Sequence, residues 1–528
     1  MNKYIKYAFA LALPTVALSS CDDYLDTMPD NRADLNTEEN IKALLVSAYP
    51  TTAYCYVAEL SSDNFDDQGL NNPYTDRWTE DTFAYKDEIE SDNESLESFW
   101  EASYNAISSA NEAIYAIEKL GGPTATKMLS QLRGEALLCR AYNHFMLANM
   151  FCKNWTQNAA SDLGLHYMET LETTLLPKYE RGTLADFYDK IERDLEEGLQ
   201  LVSDSYYSVP KYHFNKGAAY AFATRFYLYT EQWQKAIDAA NVCIGSQPEA
   251  VLRDWAKMAA MTQQFEAICN EYVNAMSNAN LLLLAPGSTL GLTFGPYYRN
   301  CRFNHNSYLA NNEDMDADNI FGSGRQIRVG SKSYSASNLN KTIFWRCPYR
   351  FEYTDIVAQI GFAHTVFPAF TTDETLLNRA EAYIMLNQYD NGAKDLTTWM
   401  KNFTVSTTDL TPEYIQSFYN NAEYAYSDDL GIESTIKKHL NPAFAIDAEG
   451  SVQECMLQCV LGFRRLETMH LGLRWFDIKR YGIEIPRRVM NPAGKPAYKT
   501  DVLTKDDKRR ALQIPLKVRD AGFTPNDR

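Results

Sequence analysis

The sequence predicts a mainly α-helical protein in which stacked helix pairs form a scaffold and one side is loop-rich and aromatic-rich. Three observations carry this reading. Long stretches repeat apolar residues at three-, four- and seven-residue steps, the spacing of one helix face. Two distant segments share one pattern of small and aromatic residues. Between the helical stretches lie runs with Gly, Pro, Asn and Asp punctuation that carry Tyr and Trp without helical period. At 528 residues the chain far exceeds the ~150-residue domain prior, so it can bury a large core.

In chain order, Lys3 and Lys6 precede a short apolar stretch from Ala8 to Leu18, and Leu18-Ser19-Ser20-Cys21 follows. The stretch is too short to span a bilayer, which takes ~20 apolar residues. A basic start, an apolar middle and small residues before a cysteine form a lipobox. Residues 1–20 are therefore expected to be a lipoprotein signal. Cys21 is the expected lipidation site, carrying diacylglyceryl and palmitate-type chains that anchor the chain without spanning the membrane. Residues 21–40, opening Asp22-Asp23-Tyr24-Leu25-Asp26, read as an acidic tether to one domain over 41–528. No later segment approaches ~18 consecutive apolar residues.

The formal charge is −19, and the leader holds two lysines and no acids, leaving 48 bases against 69 acids, or −21. That balance opposes nucleic acid and anionic membrane surfaces as partners. Aromatics make up 13%, with 35 Tyr, a surplus that suits sugar or peptide recognition. Ten cysteines less the lipidated one leave nine, which is no even framework. Cys139, Cys152, Cys243, Cys269, Cys455 and Cys459 sit in apolar helical surroundings and read as small core residues. A pairing of Cys301 with Cys347 stays open.

The helical readings are specific. Over 99–120, Trp100, Tyr104, Ile107, Ile114 and Ile117 share a face, and Gly121-Gly122-Pro123 stops the helix. A second helix is expected over 128–151 and a third over 184–202. Ala219, Ala223 and Tyr227, then Trp233, Ala236 and Ala240, match Leu377, Ala380 and Tyr383, then Tyr389, Gly392 and Leu396. An aromatic at the turn and a small residue three on is the tetratricopeptide arrangement. We expect about four such helix pairs, in regions near 99–155, 183–246 and 374–403, and a long helix near 452–482.

These segments also carry a family resemblance. Cys21-Asp22-Asp23-Tyr24-Leu25-Asp26 with Pro29, the run from Gly217 to Tyr229, the run from Leu377 to Tyr383, and Arg464-Arg465-Leu466-Glu467 through Gly472 and Arg474-Trp475-Phe476-Asp477-Ile478-Lys479-Arg480 resemble the SusD/RagB family of surface nutrient-binding lipoproteins. Phe463 and Leu471 depart from the family's acidic positions, so a thinner ion-pair network is expected there. The resemblance implies a surface-exposed lipoprotein of the outer membrane. Such a protein docks on a SusC-like TonB-dependent transporter and binds oligosaccharide for import in a glycan-utilisation system. It also implies a binder with no catalytic residues, cofactor or metal. Peptides or glycopeptides are an alternative ligand, and a surface glycoside hydrolase a third reading.

No residue-level binding motif transfers, so candidates follow from chemistry. A sugar needs an exposed aromatic plane for its C–H face and amides, carboxylates or Arg for its hydroxyl rim. Loop-like runs near 60–90 and 285–370 meet that description. The candidates are Asn72, Tyr74, Arg77 and Trp78 in the first, and Tyr297, Tyr298, Arg299, Trp345 and Tyr349 in the second. Asp314-x-Asp316-x-Asp318 resembles a calcium-loop start but has Asn319 for Gly and Arg325 for the closing Glu. The seven His show no zinc spacing, no Gly-x-Ser-x-Gly elbow occurs, and His470 reads as a core residue.

Overall fold

The computed structural model describes residues 35–72, 74–172, 177–329, 331–336 and 339–528. The predicted signal, Cys21 and the tether as far as residue 34 lie outside the described residues. The elements used below are α1 (Cys55–Ser61), α2 (Arg77–Phe83), α3 (Leu96–Lys119), α4 (Lys127–Phe151), α5 (Leu184–Leu201), α6 (Lys216–Tyr229), α7 (Trp233–Ile244), α8 (Thr372–Met385), α9 (Tyr389–Phe403), α10 (Pro412–Asn421), α11 (Val452–Glu467) and α12 (Arg474–Arg480). The strands are β1 (Asp66–Asp67), β2 (Asn280–Leu284), β3 (Phe303–Asn304), β4 (Ser331–Ala336), β5 (Leu339–Phe344), β6 (Arg350–Asp355), β7 (Ile360–His364), β8 (Phe367–Thr371), β9 (Ile485–Met490) and β10 (Pro496–Leu503). Among the described residues, no helix is long and apolar enough to cross a membrane.

Helices dominate, and they pack as the periodicity predicts: α3 on α4, α4 on α5, α6 on α7, α8 on α9 and α10 on α11. Each expected boundary falls within three residues of the observed one. Side-chain caps set the starts. Ser95, Thr126, Thr183, Thr371 and Ser451 each accept from a backbone N–H one turn in, satisfying a donor the helix leaves free. After α3, Gly121 and Gly122 take φ +103° and +79°, a left-handed exit that side chains resist.

The two segments that match in sequence match in backbone. Between α6 and α7, Glu231 turns to φ +60° and Gln232 to φ −89°, ψ 61°. Between α8 and α9, Asn387 takes φ +58° and Gln388 φ −90°, ψ 60°. Gln232 N–H donates to Tyr227 O at 2.8 Å, and Gln388 N–H to Tyr383 O at 2.9 Å. At the paired small position, a Cβ on Gly392 would lie 2.9 Å from Ile384 Cγ1, so only glycine lets α9 settle on α8. α7 then packs on α8, joining the two repeats.

The expected long helix near 452–482 is two helices. Residues 468–473 break it, with His470 at φ +67° and Gly472 at +77°. Gly472 sits where a Cβ would approach Ala58 Cβ to 2.9 Å, and its N–H donates to Glu59 Oε1 at 2.9 Å. The chain leaves the helix because it must press against α1. His470 stacks on Phe294, centroids 4.4 Å apart, and Nε2 accepts from Phe344 N–H at 3.2 Å. Burial depresses its pKa well below the ordinary value, so it is a neutral core residue.

The network around these helices is richer than expected, because Asp477 of α12 is joined by acids from elsewhere in the chain, Glu381, Asp63 and Glu313. Arg464 meets Glu381 at 2.5 Å and Asp477 at 2.8 Å, and Arg480 meets Glu381 at 2.6 Å. Arg474 grips both Asp63 oxygens at 2.8 Å. Arg465, Lys438 and Arg488 converge on Glu313 at 3.0, 2.8 and 2.9 Å. Burial alone would push the Glu381 carboxyl up; Arg480 and Arg464 outweigh it and hold the group at about 2. Phe463 instead stacks on Trp399, centroids 4.7 Å apart.

Candidate functional site

A small sheet in the order β10-β9-β1-β3 assembles the site. β1 and β3 pair antiparallel, Asp66 opposite Asn304 and Asp67 opposite Phe303. The loop leaving β1 and the loop entering β3 therefore lie at the same end. These are the two regions singled out in the sequence, and the sheet brings them together. Arg302 locks them: its Nε and Nη2 donate to the Asp67 oxygens at 2.9 and 3.0 Å, Nη1 reaches Glu80 at 2.7 Å, and its N–H donates to Tyr74 O at 3.4 Å.

The outcome is a tyrosine surface. Tyr74 and Tyr298 are 50% and 47% exposed, with centroids 5.9 Å apart edge to face. Tyr297 is also open to solvent and lies 6.5 Å from Tyr349, which is half-buried. Arg299 and Asp76 pair at 3.3 Å, both partly exposed, beside these rings. Two glycines make room beneath. A Cβ on Gly295 would meet the Tyr297 ring at 2.9 Å, and one on Gly291 would lie 2.3 Å from Tyr349 N. Buried Lys341 donates to Tyr297 O at 3.1 Å, and burial lowers its pKa to about 7. Burial and the Glu266 carboxylate raise the Tyr297 hydroxyl.

Other candidates are placed differently. Trp78 and Trp345 are only 2% and 7% exposed and present no ring face. Residues 77–83 form helix α2, not a loop, and Trp78 lies on its buried side, edge to face with Tyr56 at 5.5 Å. Trp345 packs near Phe265, centroids 6.5 Å apart. The open-platform expectation thus moves from these two indoles to the tyrosines. Asn72 is buried and its Oδ1 has no hydrogen-bond partner; Asn300 Nδ2 and Thr293 Oγ1 in the second loop share that state. Arg77 is exposed and pairs with Asp81 at 3.2 Å. The sequence reading missed Asp76 as the partner of Arg299.

Cys301 and Cys347 are both buried free thiols. Asp314 meets His305 at 3.1 Å and Asp316 meets Arg325 at 3.0 Å, so bases occupy two of the three acids in the calcium-like run. Among the described residues, no group of three or more His, Cys, Asp or Glu could hold a metal ion. Recesses on the helical side are polar: one of about 610 Å³ is lined by Asn241, Arg379, Tyr383 and Asp395, another of about 420 Å³ by Arg253, Lys257 and Glu271. Neither offers a set of open rings.

Residues 23–228 match the sequence profile of a family, SusD-like_3, described as starch-binding and associating with the outer membrane. Over that stretch, 206 of its 528 residues, the chain is similar to SusD-like proteins. Solved structures agree over nearly its whole length. A SusD superfamily protein from Bacteroides vulgatus ATCC 8482 is 18% identical, with TM-score 0.60 over 93% of this chain and 98% of that one. One from Bacteroides fragilis is 17% identical, with TM-score 0.61 over 92% and 99%. A SusD-like carbohydrate binding protein from Bacteroides vulgatus ATCC 8482 is 14% identical, with TM-score 0.57 over 92% and 96%. At these identities the likeness establishes the helical fold, not the ligand. No curated protein sequence matches it significantly.

Proposed function

We propose that this chain is a SusD-like, lipid-anchored, surface-exposed outer-membrane binder that holds an oligosaccharide on the Tyr74–Tyr297–Tyr298 surface and passes it to a SusC-like TonB-dependent transporter. The observation that carries the reading is the uncovered tyrosine pair at 5.9 Å beside the Asp76–Arg299 ion pair. Rings supply apolar planes, and the ion pair supplies donors and acceptors for a hydroxyl rim. Tyr349 borders this surface at Tyr297, and Trp345 reaches it through Phe265, which packs on both Trp345 and Tyr297. The family description and the carbohydrate-binding relative support sugar as the ligand class, and the lipobox at Cys21 supports the anchor.

The protein binds and does not cleave. Glu381 and Glu313, whose carboxyls are held well below the usual range by neighbouring bases, sit inside buried ion pairs. Native affinity gels containing single polysaccharides, with product analysis of the same mixtures, test both halves. Retardation by at least one polysaccharide without shortened products is expected. No retardation by any polysaccharide, or turnover abolished by a carboxylate substitution, contradicts it.

A further inference from the structure

Tyr349 immediately precedes strand β6, and Phe351 and Tyr353 follow at alternate positions within it, where alternate residues share a face. Successive side chains on that face stand roughly 6.6 Å apart. Across the hairpin, Phe351 is opposite Ala363 and Tyr353 opposite Gly361. Directly paired residues share a face, so the two rings look across at the two smallest side chains available. A Cβ on Gly361 would lie 2.7 Å from Phe351 Cε1, which puts that ring against bare backbone. Phe351 and Tyr353 are 40% and 48% exposed, with centroids 4.9 Å apart. The hairpin is held at its base by Ser288 N–H donating to Ala363 O at 3.0 Å and Thr365 N–H to Pro286 O at 3.2 Å. Its base residue Tyr349 already touches the tyrosine surface through Tyr297. Three ring pairs thus follow one another along the chain: Tyr74 with Tyr298, Tyr297 with Tyr349, and Phe351 with Tyr353. From Phe351 to Tyr353 the alternate positions carry rings alone, and the next alternate residue, Asp355, is turned to the hairpin tip, accepting from Val357 and Ala358 N–H at 2.9 Å.

We propose that β6–β7 is a second binding platform that extends the tyrosine surface, so that the ligand is a carbohydrate chain of several units and not a mono- or disaccharide. The proposal rests on the binding reading above and adds its chain-length requirement. A short sugar occupies the tyrosine surface alone; a longer chain also lies along Phe351 and Tyr353.

The test uses the full chain. A polysaccharide that retards the wild type among amylopectin, dextran, xylan, galactan and mucin glycans is cut to defined fragments, and disaccharide and octasaccharide affinities are measured by calorimetry. Phe351→Ala/Tyr353→Ala is expected to lose about tenfold or more for the octasaccharide and less than about twofold for the disaccharide. Tyr353→Phe keeps the ring and is expected to retain octasaccharide affinity. Ile356→Ser/Val357→Ser changes the hairpin tip off the ladder and is expected to change neither. Thermal melts of each variant report folding. Equal losses for both fragments, unchanged octasaccharide affinity in the double variant, or tighter binding of a tryptic peptide pool than of any fragment overturns the proposal. If the wild type binds fragments through Tyr298 but the double variant behaves like wild type, this inference alone fails. If the wild type binds no polysaccharide, the underlying reading fails with it.

Discussion

Asp63 and Asp76 each face an arginine, and the two pairs show how one residue chemistry serves opposite ends in this molecule. Asp63 holds Arg474 at 2.8 Å with both side chains almost wholly buried. Asp76 holds Arg299 at 3.3 Å with more than a third of each side chain open. Around Asp63, Arg465 and Lys438 add further partners, and together the bases outweigh burial and keep its carboxyl well below the usual range. Around Asp76 stand uncovered rings. A buried charge must find all its partners inside the chain, or it costs more than the fold can bear. A half-open pair is worth little to stability and stays available to something else. Full internal satisfaction marks the clamp joining the early segment to α11 and α12; exposed, loosely held polarity beside open rings marks the candidate site.

That contrast can be broken by substitution. The largest effect is expected from Glu313→Ala, which takes the one shared carboxylate from buried Arg465, Lys438 and Arg488. A loss of about 3–5 kcal/mol in urea unfolding is predicted, and a near-zero loss would mean that the clamp is not what ties the chain together. Acid comes next. Glu381 is held at about 2 against an ordinary 4.5. A depressed carboxyl stabilises the fold above pH 4.5, and that contribution is lost as pH falls from 4.5 toward 2. Unfolding followed by circular dichroism should sharpen over that window, and Arg480→Gln should move it to higher pH. Gly291→Ala places a Cβ 2.3 Å from Tyr349 N. A cost of about 1–3 kcal/mol is predicted, with weakened ligand retention because the base of the hairpin shifts. Smallest on stability is Tyr298→Ala, within about 0.5 kcal/mol of wild type by thermal melt.

Much of the scaffold is legible in the sequence because it depends on local signals. The face periodicity of α3, the capping threonines of α4 and α5, and the shared turn at Gln232 and Gln388 all act within a few residues. The break at His470 and Gly472 is not legible, since its cause is contact with α1, far away in the chain. The charge clamp is hidden for the same reason: Asp63 and Arg474 are 411 positions apart. At the site, Gly and Pro punctuation points to the loops that carry Tyr74, Tyr297 and Tyr298. It does not separate those rings from Trp78, because a short helix over 77–83 is enough to rotate an indole inward. The Tyr349-x-Phe351-x-Tyr353 alternation is a period-two signal in plain view. Its meaning depends on Gly361 and Ala363 across the hairpin, which only the strand register reveals.

The central claim is that open rings on irregular segments, held by a rigid helical scaffold, bind the ligand. Affinity electrophoresis of Tyr74→Ala/Tyr298→Ala in a polysaccharide gel that retards the wild type, with a thermal melt alongside, addresses it most directly. The account predicts an unchanged melting temperature and retardation weakened by about tenfold or more. Wild-type retardation in a correctly folded double variant would contradict it.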